Sequence, residues 1–179
     1  MSHKEEEHEI SLDLPSITRG VLLDQHVRIH RLQSACAGIL AVIEGETNEI
    51  AVEASLSCLL YQVLVQTNWC GFYRRVEDRL LKVGPYQGQL GCLKISFDRG
   101  VCGTAARTER RVMVPNVHEF PGHIACDSKT NSELVLPVRN KQGRLIAVLD
   151  LDSESLDGFC DDEAELLEAL LVKAFANVV

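Results

Sequence analysis

Trp69-Cys-Gly-Phe-Tyr-Arg-Arg-Val76 and Arg79-Leu-Leu-Lys-Val83, separated by Glu77-Asp78, mark the point where the chain stops repeating at helical spacing and begins to alternate. Two β-rich runs joined by two residues predict a hairpin. Trp69 and Tyr73 are four apart, so a regular strand puts them on one face with Gly71 between them. Taken alone, the pair reads first as a core device and second as one wall of a small pocket.

Upstream of the hairpin the period is helical. Leu22, Leu23, Val27, Ile29, Leu32, Cys36, Ile39, Leu40 and Ile43 predict an amphipathic helix from Thr18 to Ile43 with a break near Gly38. A second helix is expected from Asn48 to about Val65. Residues 1–15 are charged and end in Pro15, which predicts a flexible arm ahead of a single domain over 16–179.

Downstream, Gly84 to Gly91 reads as a glycine-punctuated loop, Cys92 to Phe97 as a short strand, and Asp98 to Arg107 as the opening of a short helix. Arg111-Val-Met-Val-Pro115 and Leu134-Val-Leu-Pro-Val138 read as buried strands. Between them lies His118-Glu-Phe-Pro-Gly-His-Ile-Ala-Cys-Asp-Ser-Lys-Thr-Asn-Ser-Glu133, too long for a simple turn, and loops of that length usually bind or react. A last hairpin turns at Asn140-Lys-Gln-Gly143. If Arg139 faces Arg144, Glu133 lies opposite Asp150, and Glu133, Asp150 and Asp152 share one face. An acidic-capped helix from Asp161 closes the chain. The fold class is therefore α+β, an antiparallel sheet with the terminal helices on one face and the glycine- and cysteine-bearing loops on the other.

The composition of 179 residues, 46% hydrophobic and 25% charged, is that of one globular domain. A net charge of −8 without a basic stripe argues against nucleic acid and anionic membranes as partners. No signal peptide core or membrane-length apolar run is present, which predicts a cytoplasmic protein. There are seven cysteines, an odd number that in a reducing compartment favours free thiols, metal ligation or redox chemistry over a disulfide scaffold. Cys36, Cys58 and Cys70 sit among apolar neighbours and read as small core residues, and Cys160 reads as incidental. Cys92, Cys102 and Cys126 lie in glycine-rich or loop segments. Cys126 is the natural candidate thiolate, and Cys102 rivals it because a helix N-terminus lowers a thiol pKa.

Three chemistries fit these parts. A metal site has donors in Cys92, Cys102, Cys126, His118 and His123 but lacks any CxxC or HxxxH pair. A cysteine hydrolase or transferase could use Cys126 with His118 or His123 as base, although it would leave the other two cysteines idle. Thiol redox catalysis uses all of them: a thiolate is oxidised to a sulfenic acid and a second cysteine resolves it as a disulfide.

Trp69-Cys-Gly-Phe-Tyr73, Gly84-Pro-Tyr-Gln-Gly88, Gly100-Val-Cys-Gly-Thr-Ala105, Val117-His-Glu-Phe-Pro-Gly-His-Ile-Ala-Cys-Asp-Ser128, Asn131-Ser-Glu133 and Val148-Leu-Asp-Leu-Asp-Ser153 resemble, in order, the free methionine-(R)-sulfoxide reductases, enzymes built on a single GAF domain. The resemblance implies a GAF fold and reduction of free L-methionine-(R)-sulfoxide. It implies Cys126 as nucleophile and Cys92 and Cys102 as the other redox cysteines, with Cys102 its partner in the first disulfide, against the helix-dipole argument for Cys102. It implies Glu133, Asp150 and Asp152 as pocket carboxylates and Trp69 and Tyr73 as the aromatic wall. For such a substrate, charge pairing assigns Asp150 and Asp152 to the ammonium and Glu133 to protonating or polarising the sulfoxide oxygen. Thioredoxin, or dithiothreitol in vitro, is the implied reductant, with no bound cofactor and no metal, and a homodimer is left open. A GAF-type small-molecule binding or redox-sensing module is the alternative.

Overall fold

In a computed structural model, Leu12 and residues 16–123 and 127–179 are described. The elements run α1 (Gln25–Val42), α2 (Glu49–Val63), β1 (Thr67–Glu77), β2 (Leu80–Gly88), β3 (Lys94–Ser96), α3 (Gly100–Thr108), β4 (Val112–Val114), a 3-10 turn (Val117–Glu119), β5 (Ser132–Arg139), β6 (Leu145–Ser153) and α4 (Asp161–Ala174). One six-stranded sheet has the order β3-β2-β1-β6-β5-β4, and every neighbouring pair is antiparallel.

Side-chain alternation divides the sheet into two cores. Cys70 and Phe72 of β1, Leu134, Leu136 and Val138 of β5, and Leu149 and Leu151 of β6 pack with α1, α2 and α4. Trp69, Tyr73, Val135 and Val148 point the other way and pack with Val101, Cys102, Ala105 and Ala106 of α3. The expected architecture is therefore present, and the second face is the one that carries a site.

Several boundaries differ from the sequence expectation for local reasons. α1 starts at Gln25 because the Asp24 carboxylate accepts from the His26 amide, and it runs through Gly38 without a break. Gly38 serves close approach instead, since a Cβ there would lie 2.9 Å from the Leu12 side chain. Leu12 packs on the helical core. The rest of the predicted arm lies outside the described residues, apart from Leu12. α2 begins after Asn48, whose side chain accepts from the Ile50 and Ala51 amides, as its capping preference dictates. The hairpin turn falls at Asp78-Arg79, with Glu77 paired to Leu80. The segment read as loop from Gly84 is strand as far as Gly88. Gly71 explains the match: a Cβ there would sit 2.2 Å from the Tyr86 Cβ, so β1 and β2 close only over glycine.

The last hairpin pairs Glu133 with Asp152 rather than Asp150. Asn140 and Arg144 close its loop through Asn140 N–H to Arg144 O at 3.0 Å, and the register breaks between Val138 and Arg139. The net shift is two residues, so every side chain keeps its face. Two cysteine expectations also change. Cys58 is exposed rather than core, whereas Cys70 is fully buried. Cys160 is the N-cap residue of α4, and its N–H donates to Glu163 Oε2 at 3.1 Å.

That glutamate does more than complement the helix dipole. Glu163 is fully buried and accepts from Arg28 Nε and Nη2, both at 3.0 Å, and from Gln66 Nε2 at 3.0 Å. The bidentate pair ties α1 to the start of α4 and to the segment that leads into β1.

Candidate active site

The site lies where β1, β5 and β6 present their second face to α3 and to the segments 89–93, 120–123 and 127–131. Trp69, Tyr73, Leu90, Gly91, Gly100, Val101, Cys102, His123, Asp127, Thr130, Glu133, Asp150 and Asp152 are among the residues that line a cavity of about 480 Å³, its open mouth included. Six of the eight residues singled out from the sequence, Trp69, Tyr73, Cys102, Glu133, Asp150 and Asp152, converge there. Cys126 lies outside the described residues. Cys92 sits one residue beyond Gly91 and is disulfide-bonded.

The aromatic wall is a stack of three rings rather than two. Trp69 lies between Tyr73, at 5.4 Å, and Tyr86, at 5.1 Å between centroids, and its Nε1 donates to Gln89 O at 3.0 Å. Gly91 rests on this stack: a Cβ there would lie 2.8 Å from the Tyr73 hydroxyl oxygen. Pocket wall and core device are thus the same object.

The opposite wall is acidic. Glu133, Asp150 and Asp152 alternate onto one face at the ends of β5 and β6, as the expected register parity requires. Burial, followed by repulsion from Asp150 and Asp152, pushes the Glu133 carboxyl well above its ordinary value. Asp152 is pushed well up by burial and then by Asp150 and Asp127. Asp150 is raised by burial to about 7, with Cys102, Glu133 and the Leu151 amide opposing the shift. Its Oδ1 is buried without a hydrogen-bond partner. A buried acceptor left unpaired is costly, and a cationic donor entering the cavity would satisfy it.

Cys102 Sγ lies 3.8 Å from Glu133 Oε1. It occupies the first turn of α3 as the sequence suggests, yet its pKa moves the opposite way. Burial and then Asp150, Glu133 and Asp152 push the thiol well above its ordinary value, overriding the helix terminus. The surroundings of Cys102 therefore favour the thiol over the thiolate, opposite to the pull of the helix terminus. Cys102, Glu133 and Asp150 each bring one ligand atom within 4.8 Å of the others. All three are shifted toward protonated forms that a metal would have to displace, and a single thiol with two carboxyls is no zinc set.

The two histidines separate. His118 follows the cap of the 3-10 turn, where the Asn116 side chain accepts from its N–H, and its Nε2 is 2.9 Å from Asn131 Oδ1, so it braces the loop. His123 enters the pocket with Nε2 3.7 Å from Glu133 Oε2, and burial lowers its pKa. Sequence reasoning missed Asp127 and Thr130 as lining residues and Tyr86 as the ring that backs Trp69. Asp127 Oδ1 accepts from the Lys129 amide at 3.0 Å and Oδ2 from Asn68 Nδ2 at 3.2 Å, which carries the loop back to β1. The Asx turn at Asp127 was the available signal.

The GAF domain family model matches residues 49–174. The chain is 44% identical over 133 residues to the free methionine-R-sulfoxide reductase of Escherichia coli (strain K12), covering 74% of this chain and 79% of that protein. It is 39% identical over 133 residues to the free methionine-R-sulfoxide reductase of Saccharomyces cerevisiae, covering 71% and 74%. Among solved structures, the free methionine-R-sulfoxide reductase from Neisseria meningitidis in complex with its substrate superposes with a TM-score of 0.79 at 33% identity, covering 90% of this chain and 94% of that one.

Proposed function

Because the chain belongs to the GAF domain family and, within it, to the free methionine-R-sulfoxide reductases, we propose that it reduces free L-methionine-(R)-sulfoxide to methionine with Cys126 as nucleophile. The observation that carries this reading is a carboxyl triad, Glu133 and Asp150 buried and Asp152 half-buried, with one orphaned Asp150 oxygen, facing an aromatic stack beside a free thiol. Asp150 and Asp152 take the substrate ammonium, which a peptide-bound residue lacks. Gly100 and Val101 of α3 line the same pocket, and that helix has no side-chain cap. Its first turn is the complement for the α-carboxylate. Trp69 and Tyr73 seat the S-methyl group.

Glu133, held protonated by burial, gives its proton to the sulfoxide oxygen as the Cys126 thiolate attacks sulfur. Methionine leaves and Cys126 becomes a sulfenic acid. The Cys102 thiol attacks that sulfur, a disulfide forms and water departs. Exchange then passes the disulfide to Cys92, and thioredoxin or dithiothreitol returns the enzyme to its thiol form. No bound cofactor enters these steps. Cytoplasm is the compartment we assign, since Cys36, Cys58, Cys70, Cys102 and Cys160 are free thiols. Among the described residues no helix is long and apolar enough to cross a membrane.

The test is chiral analysis of product from the two free sulfoxide diastereomers with dithiothreitol present. Loss of the R form alone, with methionine appearing, supports the reading. No reduction of either form by protein with verified free thiols sinks it in favour of a GAF-type binding or redox-sensing module. Cys126→Ser should abolish turnover, whereas Cys102→Ser should release one equivalent of methionine and stall.

A further inference from the structure

Two large apolar side chains are exposed at the mouth of the pocket, Leu90 at 74% and Leu93 at 68%, and they flank the half-buried, disulfide-bonded Cys92. Scattered surface leucines mean nothing by themselves, but these two are held outward. Gln89 O is fixed by Trp69 Nε1 at 3.0 Å, and Leu93 O accepts from Val83 N–H at 3.2 Å. Between them Gly91 is pressed on the Trp69 and Tyr73 rings. Both ends of the segment are thus anchored by hydrogen bonds, with Leu90 exposed at the cavity rim and Leu93 beside it. It continues directly into β3, which is an edge strand of the sheet. Such an edge offers backbone groups for pairing with another chain.

From this geometry we propose that Leu90, Leu93 and the edge of β3 form the docking surface for the protein that reduces the Cys92 disulfide, a small dithiol oxidoreductase of the thioredoxin class. The inference rests on the redox reading above and adds to it where the reductant binds. A small thiol needs no apolar contact to reach a half-buried sulfur at the surface, whereas a protein dithiol must be seated for in-line attack. The partner's thiolate attacks Cys92 Sγ, and the bond from Cys92 to its disulfide partner breaks, leaving that cysteine as a thiolate. The partner's second thiol then attacks the mixed disulfide and releases Cys92. Two electrons and two protons pass to this chain, and the partner leaves as a disulfide.

Leu93 is the residue to change, because it lies outside the pocket lining. Steady-state turnover of Leu93→Ser is measured with thioredoxin, kept reduced by its reductase, and in parallel with dithiothreitol. The expected result is a drop of about tenfold in kcat/KM for thioredoxin, as for loss of an interface anchor, with dithiothreitol-driven turnover and the KM for methionine sulfoxide unchanged. Leu93→Met should restore most of the loss. Unchanged thioredoxin kinetics, or an equal fall with both reductants, overturns the docking surface. A single-turnover assay with prereduced protein and no added reductant separates the two levels. One equivalent of methionine there, with no wild-type turnover on thioredoxin, overturns the docking proposal alone, whereas no methionine overturns the reductase reading and the docking proposal with it.

Discussion

Asp150 is 5% exposed and has one carboxylate oxygen without a partner, so its ionised form is disfavoured by the fold and favoured by a cation. Its pKa rises from the ordinary 3.8 to about 7. The folded state therefore binds the proton more tightly than the unfolded state. This group's contribution to stability is fully present below pH 4 and is lost as the pH rises through 7, on the order of 4 kcal/mol for an isolated group with that shift. Glu133 and Asp152 are raised too and act in the same direction. Asp150→Asn removes this titration. Thermal unfolding should show the variant more stable than wild type at pH 8, with the gap narrowing steadily below pH 7 and closing near pH 4, while the KM for methionine sulfoxide rises about tenfold or more. A variant less stable than wild type at pH 8 would contradict the assignment. Cys102 teaches the same lesson about what a sequence conceals. Its position in the first turn of a helix is legible, but the burial that chiefly raises its pKa, and the carboxyls of β5 and β6 that add to it, arise only where those strands meet α3 in three dimensions.

At the scale of elements, β1 is the axis of both cores, and its closure on β2 over Gly71 sets the aromatic stack. Gly71→Ala forces a Cβ against Tyr86 Cβ and Cα, at 2.2 and 2.7 Å, and must displace Tyr86 from Trp69. Overpacking of this kind costs about 1–3 kcal/mol. The single tryptophan of the chain is Trp69, so its fluorescence should shift in the variant, and an unaltered spectrum would show that the stack survives. The buried Arg28–Glu163 pair makes a second element-level prediction. Arg28→Met leaves Glu163 buried with its charge unpaired and should lower stability in urea by about 3–5 kcal/mol. Adding Glu163→Gln should recover part of that loss, and purely additive effects would count against a direct pair. The hairpin signals of β1 and β2 were readable because period two and a two-residue turn are local features. The register of β5 on β6 was not, since Asn140 closes a shorter loop through its own backbone and side chain. The face assignment of Glu133, Asp150 and Asp152 survived because the shift was an even number of residues. The Arg28–Glu163 pair spans 135 positions and leaves no periodic trace, so sequence reasoning saw only an acidic first turn.

For the whole molecule, the pocket couples ligand binding to protons. Glu133 and Asp152 are held well above their ordinary values and Asp150 near 7, so the empty pocket keeps protons at neutral pH. An incoming ammonium lowers the pKa of every carboxyl it faces, and protons must leave as it binds. In the proposed binding mode Glu133 takes the sulfoxide oxygen and retains its proton, which would leave Asp150 and Asp152 as the source. Calorimetric titration of Cys126→Ser with methionine sulfoxide in two buffers of different ionisation enthalpy reads that number directly. At pH 7 the expected release lies between zero and two protons per ligand, larger at pH 6 than at pH 8, where Asp150 is already ionised. Affinity should weaken as the pH falls below 7, and N-acetylmethionine sulfoxide, which carries no ammonium, should bind poorly and release none. Proton uptake on binding, or equal affinity for the acetylated ligand, would mean that the acidic wall does not receive the amino group and that its buried carboxyls serve another end.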